Sequence, residues 1–290
     1  MRILLLLLLL NATNTALGVQ VRDDLGREVT VPDRARRIVA MAPHIVENLY
    51  AAGAGERIVG AVDYSDFPAT ARDIPRVGSF NAFSLEAVIA ARPDLIIMWG
   101  SGNGMTALEK LETLDIPVFV SEPRTLADIS RGLRLLGTLA GTTDTSEAAA
   151  VAFEQEVARL RSTHRDTARL TVFLQLWHQP LQTVSGDHLI SEIIDLCGGS
   201  NAFADAKTLA PKLNIESILQ RNPDVIIASG AGPDRPAWLD EWRDYPSLSA
   251  ARSGALFYIN PDHLLRSTPR VLLGTRELCA RLDSLRDGGD

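Results

Sequence analysis

The sequence predicts an α/β fold of two similar lobes, each a parallel sheet flanked by helices, joined by one long rigid backbone helix. One observation is an internal repeat: residues 84–100 recur as residues 214–230, with the same Glu, Pro, Asp, paired Ile and closing Gly. A repeat of this period is too long for a solenoid unit and matches a whole lobe. The other observations are alternating strand and helix patterns in both halves, and a segment without Gly or Pro between them.

Apolar runs and helical patterns alternate through the first half, which predicts a parallel sheet covered on both faces. The runs lack strict polar alternation, as is typical of strands buried on both sides. Thr125 predicts the start of the longest helix here, and Gly141 predicts its end. After a strand pair around 24–31, the predicted strands are 38–42, 58–62, 95–99 and 118–120, and the predicted helices are 45–52, 85–91, 105–114 and 126–140.

The second half repeats this scheme. Thr268 supplies a capping hydroxyl and Pro269 suits a first helical turn, so together they predict the start of the last helix. The predicted strands are 171–176, 225–229 and 256–258, and the predicted helices are 189–196, 215–221, 237–242 and a final one from residue 269.

Residues 144–161 are rich in strong helix formers and predict one continuous helix of about five turns. A continuous helix resists bending, so we expect the lobes to close only slightly on a ligand. The predicted division is an N-terminal lobe at 19–143, a connecting backbone helix at 144–166 and a C-terminal lobe at 167–290. A cleft between two lobes is the usual place for a small ligand.

The first residues predict a signal peptide at 1–18, with a charged start, an apolar stretch at 3–10 and a small-residue cleavage pattern at 16–18. The apolar stretch is too short to span a bilayer. A bacterial lipid anchor needs a cysteine directly after the cleavage point, and residue 19 is Val, so we expect an exported protein in the periplasm without a lipid anchor. The net charge of -7 argues against nucleic acid or an anionic membrane surface as a partner.

The chain has two cysteines, Cys197 and Cys279, both in the second half. In an oxidising compartment such a pair predicts a disulfide, which would stabilise the fold by about 4 kcal/mol on the chain-entropy argument. The alternative is two unpaired buried thiols.

Several motifs resemble the helical-backbone class (class III) of periplasmic substrate-binding proteins, which serve ABC importers of cobalamin, ferric siderophores and haem. They are the segments 24–32 and 37–43, Glu47, and the pair 51–53 and 58–60. The cobalamin-binding members, whose single disulfide fits the two cysteines, are resembled by the segments 62–68, 174–175 and 196–201, by Asp262 with Arg266, and by the stretch from 267–270 through 278–279. The resemblance implies a binding protein, not an enzyme, that carries cobalamin (vitamin B12) or a related corrinoid in the cleft without a cofactor. It covers essentially the whole mature chain.

The predicted ligand contacts come from the resemblance and from the positions of aromatic residues. Cobalamin is a large, mostly neutral disc edged with amides, which calls for broad apolar faces and hydrogen bonds at the rim. Aromatic residues follow predicted strands in both lobes, where sheets of this kind present ligands; each alone could equally be a core residue. The predicted set is Tyr64, Phe80, Trp99, Trp177, Asp262, His263, Leu264, Leu265 and Arg266.

Glu86 and Glu216 are the acid that both copies of the repeat share, each in the first turn of its helix. Complementing the helix dipole would explain either one and is worth about 0.3 to 1 kcal/mol. The resemblance implies a further role, in which each lobe presents one carboxylate to arginines on the membrane permease subunits of an ABC importer. We expect docking through both, by a monomer.

Two alternatives remain for the function. His263 and Leu264 stand where cobalamin-binding members have aromatic residues, so a haem- or ferric-siderophore-binding protein of the same class is the runner-up. An anionic siderophore would be expected to use Arg266 and Arg270 as paired cations. A remote alternative is a metal-dependent hydrolase or chelatase using His44, Glu47 and His263, although a lone His is more often structural and no clustered metal triad or catalytic motif occurs. We assign His44 and Glu47 a structural role.

Overall fold

Two parallel four-stranded sheets form the two lobes in a computed structural model, which describes residues 18–230, 232 and 234–288. The strands are β1 Val19–Arg22, β2 Glu28–Val31, β3 Ile38–Ala40, β4 Ile58–Ala61, β5 Leu95–Trp99, β6 Val118–Ser121, β7 Leu170–Gln175, β8 Gly199–Asn201, β9 Val225–Ala228 and β10 Leu256–Tyr258. The helices are α1 Pro43–Ala51, α2 Leu85–Ala90, α3 Gly100–Asn103, α4 Met105–Glu112, α5 Leu126–Ala140, α6 Thr143–Thr163, α7 Leu189–Leu196, α8 Ile215–Arg221, α9 Ser249–Ser253, α10 Pro261–Leu264 and α11 Val271–Asp287.

The two sheets have the same topology. The first runs β4-β3-β5-β6 and the second β8-β7-β9-β10, so each lobe places its strands in the same spatial order. The repeated segment supplies α2 with β5 in one lobe and α8 with β9 in the other. Ile38 lies opposite both Ile58 and Leu95 in the first sheet, and Val172 opposite Val225 in the second. The predicted two-lobed α/β fold is confirmed.

The helix caps follow from local sequence. Ser84 and Asn214 cap α2 and α8 by accepting hydrogen bonds from the amides of Ala87 and Ser217. Thr125 forms a capping box at the start of α5, and Gly141 ends that helix in the left-handed conformation, as predicted.

Helix α6 lies between the two sheets in sequence and contributes to both lobes. Ala150 packs in the core of the first lobe, and Phe153, Val157 and Leu160 pack in the core of the second. Its neighbour α5 does the same, because Leu126 and Ile129 at its start belong to the second core while Leu133, Leu136 and Leu139 belong to the first. The lobes therefore share two helices along this side.

Some elements differ from the sequence-based expectation. The polar, three-residue strand β8 was not predicted, because it has no apolar run and pairs only with the edge of β7. Residues Ala237–Asp244 form a 3-10 helix instead of an α-helix. Helix α11 begins at Val271 because Thr268 is held in a preceding turn, where its hydroxyl accepts from the Arg270 amide at 3.3 Å.

A disulfide joins Cys197, at the end of α7, to Cys279 in α11. The predicted signal peptide lies outside the described residues except for Gly18. Among the residues that the structure describes, no helix is both long enough and apolar enough to cross a bilayer.

Candidate functional site

A cavity of about 380 Å³ lies between the lobes, at the carboxyl ends of the strands of both sheets. The first lobe lines it with His44 after β3, Tyr64 after β4 and Trp99 at the end of β5. The second lobe lines it with residues that follow β7 and β10, including Leu176 and Leu265. Parallel sheets place ligands at this edge. The walls are mainly aromatic and aliphatic, which suits a ligand with broad apolar faces.

Five of the predicted residues meet at this cavity: Tyr64, Phe80, Trp99, Leu265 and Arg266. Tyr64 is 77% exposed and adopts a φ of 62°, an uncommon conformation for a residue other than glycine, which turns up at functional sites. Trp99 has Phe80 on one side, with ring centroids 6.2 Å apart. A side chain at Gly102 would overlap the Trp99 ring, so the absence of a Cβ there seats the indole.

The structure does not bring Trp177, Asp262, His263 and Leu264 to the cavity wall. Leu264 is fully buried in the second core, because α10 packs directly on α11 and Gly274 leaves room for the His263 carbonyl. Asp262 faces Arg266 at 2.8 Å. Trp177 is half exposed, and its indole N–H donates to the Gln179 carbonyl.

Glu47 anchors a buried polar cluster that crosses between the lobes beside the cavity. Its Oε1 accepts from Arg266 Nη1 at 2.8 Å and from Arg270 Nη2 at 3.0 Å, and its Oε2 accepts from the Thr268 hydroxyl at 2.9 Å. Next to it, the Asn48 side chain donates to the Ser267 carbonyl at 3.0 Å. The sequence indicated only a structural role for Glu47, and its partners, some 220 positions away, gave no local signal.

Burial raises the pKa of Glu47, and the charges of Arg270 and Arg266 with the Thr268 hydroxyl oppose that rise. All three neighbours donate to Glu47, so the cluster holds a carboxylate. Burial also disfavours the charged form of Arg266, but the hydrogen bond to Glu47 and the nearby Asp262 and Asp66 outweigh it and raise the arginine's pKa.

The two arginines are thus already paired with acids. Arg266 contacts Glu47, Asp66 at 3.3 Å and Asp262 at 2.8 Å, and Arg270 lies 3.8 Å from Asp262 and stacks on the Phe67 ring. Three carboxylates surround two guanidinium groups. An anion in the cleft would therefore not meet a free pair of cations.

Two histidines that the prediction did not include also line the cavity, His44 from the first lobe and His188 from the second. Burial lowers the pKa of His44 to about 4, with a further contribution from Arg266. Burial and then Arg124 lower the pKa of His188 to about 4. Both imidazoles are therefore uncharged near neutral pH.

Within the described part of the chain, no three His, Cys, Asp or Glu side chains lie where they could hold a metal ion. Glu47, one of the three residues that the hydrolase or chelatase alternative would use, is fully engaged by Arg266, Arg270 and Thr268.

Glu86 and Glu216 are exposed and lie in the first turns of α2 and α8. A helix that leads into a parallel strand runs antiparallel to it, so each of these first turns lies at the carboxyl edge of its sheet, where the cavity opens. The Ser84 hydroxyl donates to Glu86 at 2.8 Å. The backbone amide of Glu86 and that hydroxyl lower the pKa of its carboxyl group.

The sequence model of one family, described as periplasmic binding protein, matches residues 38–263. The chain belongs to the periplasmic binding protein family. Members of this family are binding proteins rather than enzymes. A relative from Pectobacterium carotovorum, the vitamin B12-binding protein of strain PC1, is 37% identical over 256 residues, which cover 87% of this chain and 90% of the relative. The corresponding protein of Vibrio parahaemolyticus is 32% identical and covers 86% of this chain and 90% of its own length.

Solved structures agree with this family assignment. The crystal structure of the periplasmic vitamin B12 binding protein of Vibrio cholerae superposes with a TM-score of 0.79 at 33% identity, covering 86% of this chain and 97% of that one. A periplasmic haem-binding protein from Pseudomonas aeruginosa superposes at 0.75 with 21% identity, covering 88% and 94%. The second likeness concerns the fold alone.

Proposed function

We propose that this periplasmic binding protein captures cobalamin or a related corrinoid in the inter-lobe cleft and delivers it, chemically unchanged, to an ABC importer. The observation that carries the proposal is the cleft itself: Tyr64, Phe80 and Trp99 face Leu265 across it, while the cation beside them, Arg266, is neutralised. A neutral disc edged with amides matches such walls. Relatives named vitamin B12-binding protein match this chain over most of their length and support the same ligand class.

The export and the location are part of this proposal. We infer that residues 1–18 are removed and that the mature protein works in the periplasm as a monomer. The disulfide between Cys197 and Cys279 suits an oxidising compartment.

The runner-up, a haem- or ferric-siderophore-binding protein, differs in the charge it would need. Haem propionates and carboxylate siderophores are anions, and anions bind best to free, bidentate arginines. Arg266 and Arg270 have Glu47, Asp66 and Asp262 as partners instead. The cleft therefore favours the neutral ligand.

A titration tests the ligand class. Purified mature protein should bind cyanocobalamin with a dissociation constant on the order of 1 μM or below, detected as quenched Trp fluorescence and as heat. Trp99→Phe should remove most of the quenching, whereas Trp177→Phe, which lies outside the cavity, should keep it. No response to micromolar cyanocobalamin or cobinamide, together with clear binding of haemin or a ferric siderophore, would transfer the proposal to the runner-up.

We also propose that Glu86 and Glu216 dock the two lobes on the permease subunits. Both are exposed at the cleft edge, one per lobe and in equivalent positions, as a two-point contact with a symmetric partner requires. The double change Glu86→Ala with Glu216→Ala should leave cyanocobalamin affinity unchanged and abolish uptake into vesicles that hold the importer. Glu109→Ala with Glu241→Ala, two other exposed acids, is the matched control. Normal uptake by the first pair would refute docking through these residues.

A further inference from the structure

The cavity contains two uncharged imidazoles, one from each lobe, whose polar atoms have no complete set of partners. His44 is the second residue of α1, and His188 immediately precedes α7. Both side chains line the cavity, together with Trp99 and Leu265. Aromatic and aliphatic walls can hold a disc but cannot recognise the polar groups at its edge, so these two rings are the candidates for that task.

His188 has one ring nitrogen committed and one free. Its Nδ1 accepts a hydrogen bond from the Ile190 amide at 3.2 Å, which caps the start of α7. An accepting Nδ1 carries no hydrogen, so in the neutral ring the hydrogen is on Nε2. No partner for Nε2 occurs among the residues that the structure describes. His188 therefore offers the cavity a neutral N–H donor on a ring whose orientation is fixed by the helix.

His44 is only 8% exposed, and its Nε2 is buried without a hydrogen-bond partner in the described structure. Its ring stands edge-on to Trp99, with centroids 5.3 Å apart and planes at 87°. Nδ1 likewise has no partner among the described residues. Because Nε2 has almost no accessible surface, Nδ1 is the ring nitrogen of His44 that a ligand in the cavity can reach.

The charges around the two rings support neutral recognition. The positive charge of Arg266 lowers the pKa of His44, and that of Arg124 lowers the pKa of His188. Arg124 lies 3.7 Å from Glu122, and Arg266 is paired with Glu47, so neither cation is free. A neutral imidazole exchanges hydrogen bonds with a carboxamide without the desolvation that a charged group would require.

We infer that His44 and His188 are specificity-determining residues that hydrogen-bond uncharged carboxamide groups at the ligand's edge, one from each lobe. This inference rests on the proposed function and deepens it. His188 donates Nε2–H to an amide carbonyl oxygen, and His44 uses Nδ1, the ring nitrogen that is not buried. The pair spans the cleft, so a ligand whose edge is amidated contacts both lobes through neutral groups.

Matched variants test the inference. His188→Asn keeps a side-chain acceptor suited to capping α7 but loses the Nε2 donor, and His44→Leu keeps the bulk of the ring without its nitrogens. Each should weaken cyanocobalamin binding about tenfold, the usual effect of one lost hydrogen bond. His178→Asn and His263→Asn, whose rings lie outside the cavity, should bind as the wild type does. His44→Gln should restore part of the affinity that His44→Leu loses.

A measurement on the unmodified protein covers the case in which a variant misfolds. The chain has five histidines, and nitrogen NMR of their imidazoles reports tautomer and hydrogen bonding directly. Cyanocobalamin should shift the ring signals of His44 and His188 and leave those of His178 and His263 in place. Tight cyanocobalamin binding with unshifted His44 and His188 signals and unchanged variant affinities would overturn the inference and leave the proposed function intact. Failure of the wild type to bind any corrinoid would overturn the proposed function, and the inference with it.

Discussion

The two lobes are connected in two physically different ways, through the α5–α6 pair along one side and through the Glu47 cluster beside the cavity. Around α6 the ionic contacts lie on the surface: Arg134 bridges Glu147 and Glu154, and its side chain is 34% exposed. In the cluster the Glu47 side chain is 3% exposed and meets Arg266 and Arg270. The first connection is held by helix backbone and apolar packing, and the second by buried charge.

The difference shows that similar ion pairs can contribute unequally to the free energy of unfolding. Water screens the contacts of Arg134, and exposed pairs of this type contribute little to folding. The cluster has been taken out of water, so its members are stable only as a complete set. We expect the helix pair to keep the lobes at a nearly fixed separation and the cluster to set how their cavity faces meet.

Removing Glu47 should have the largest effect. Glu47→Ala leaves Arg266 and Arg270 buried without their shared carboxylate, and breaking a buried pair in this way costs about 3–5 kcal/mol. Urea unfolding followed by circular dichroism measures the change. The cleft should also widen. A wider cleft would lower the affinity for cyanocobalamin and increase the radius of gyration measured by small-angle X-ray scattering.

Asp66→Ala is the control for that experiment. Asp66 contacts the same Arg266 at 3.3 Å, but its side chain is 46% exposed. Its loss should change the free energy of unfolding far less than the loss of Glu47. If both changes lowered the free energy of unfolding equally, the buried contact of Glu47 would contribute no more to stability than the exposed contact of Asp66.

Acid should destabilise the fold through His44, which lies beside the buried cluster, before it breaks the exposed contact. The pKa of His44, beside Arg266, is about 4 in the folded protein, while an unfolded histidine titrates near about 6.5. Because the folded pKa is lowered, the unfolded chain binds the proton first, and stability falls as the pH drops from about 6.5 to 4. Between pH 7 and pH 5 this loss is about 2 kcal/mol. Glu154, by contrast, has its pKa lowered to about 2 by Arg134 and Ser130, so the contact beside α6 persists to lower pH.

His44→Gln isolates this effect from the other titrating groups. The raised pKa of Glu47 contributes with the opposite sign, since the folded state then takes up a proton more readily, and His188 contributes with the same sign as His44. Arg124, Glu122 and Asp187 line the same cavity and are present in both proteins. The variant should lose less stability than the wild type between pH 7 and pH 5, as measured by urea unfolding at each pH. Identical slopes would show that His44 is not the titrating group.

The same contrast explains what sequence could predict. Strand β5 and helix α5 carry their signals locally, as an apolar run and as a capped amphipathic segment, and both lie where the sequence indicates them. Strand β8 depends on pairing with β7 and has no local signal. The aromatic side of the cavity could be predicted because aromatic residues follow strand ends.

The polar side of the site required tertiary structure. Glu47 meets its partners across the chain, and the sequence gives no indication of which acid will be buried against which arginine. His188 reads in sequence as an ordinary residue before a helix, and only the fold places it on the cavity wall. Leu264 is the opposite case. Its segment resembles a ligand-binding loop, which predicts a ligand contact, but the fold buries its side chain in the core.

Removing the exposed contact should have the smallest effect. Arg134→Ala breaks the hydrogen bonds to Glu147 and Glu154, yet alanine favours the helix and the freed carboxylates regain water, so the melting temperature should fall by less than about 3 °C. The dependence on salt distinguishes this contact from the Glu47 cluster. Raising the ionic strength from about 0.05 to 0.5 M should remove the small difference in melting temperature between Arg134→Ala and wild type, because exposed charges are screened. The larger loss of stability in Glu47→Ala should remain at high salt. If the Arg134→Ala deficit were as large and as insensitive to salt, the surface network would bind the lobes as strongly as the buried cluster does.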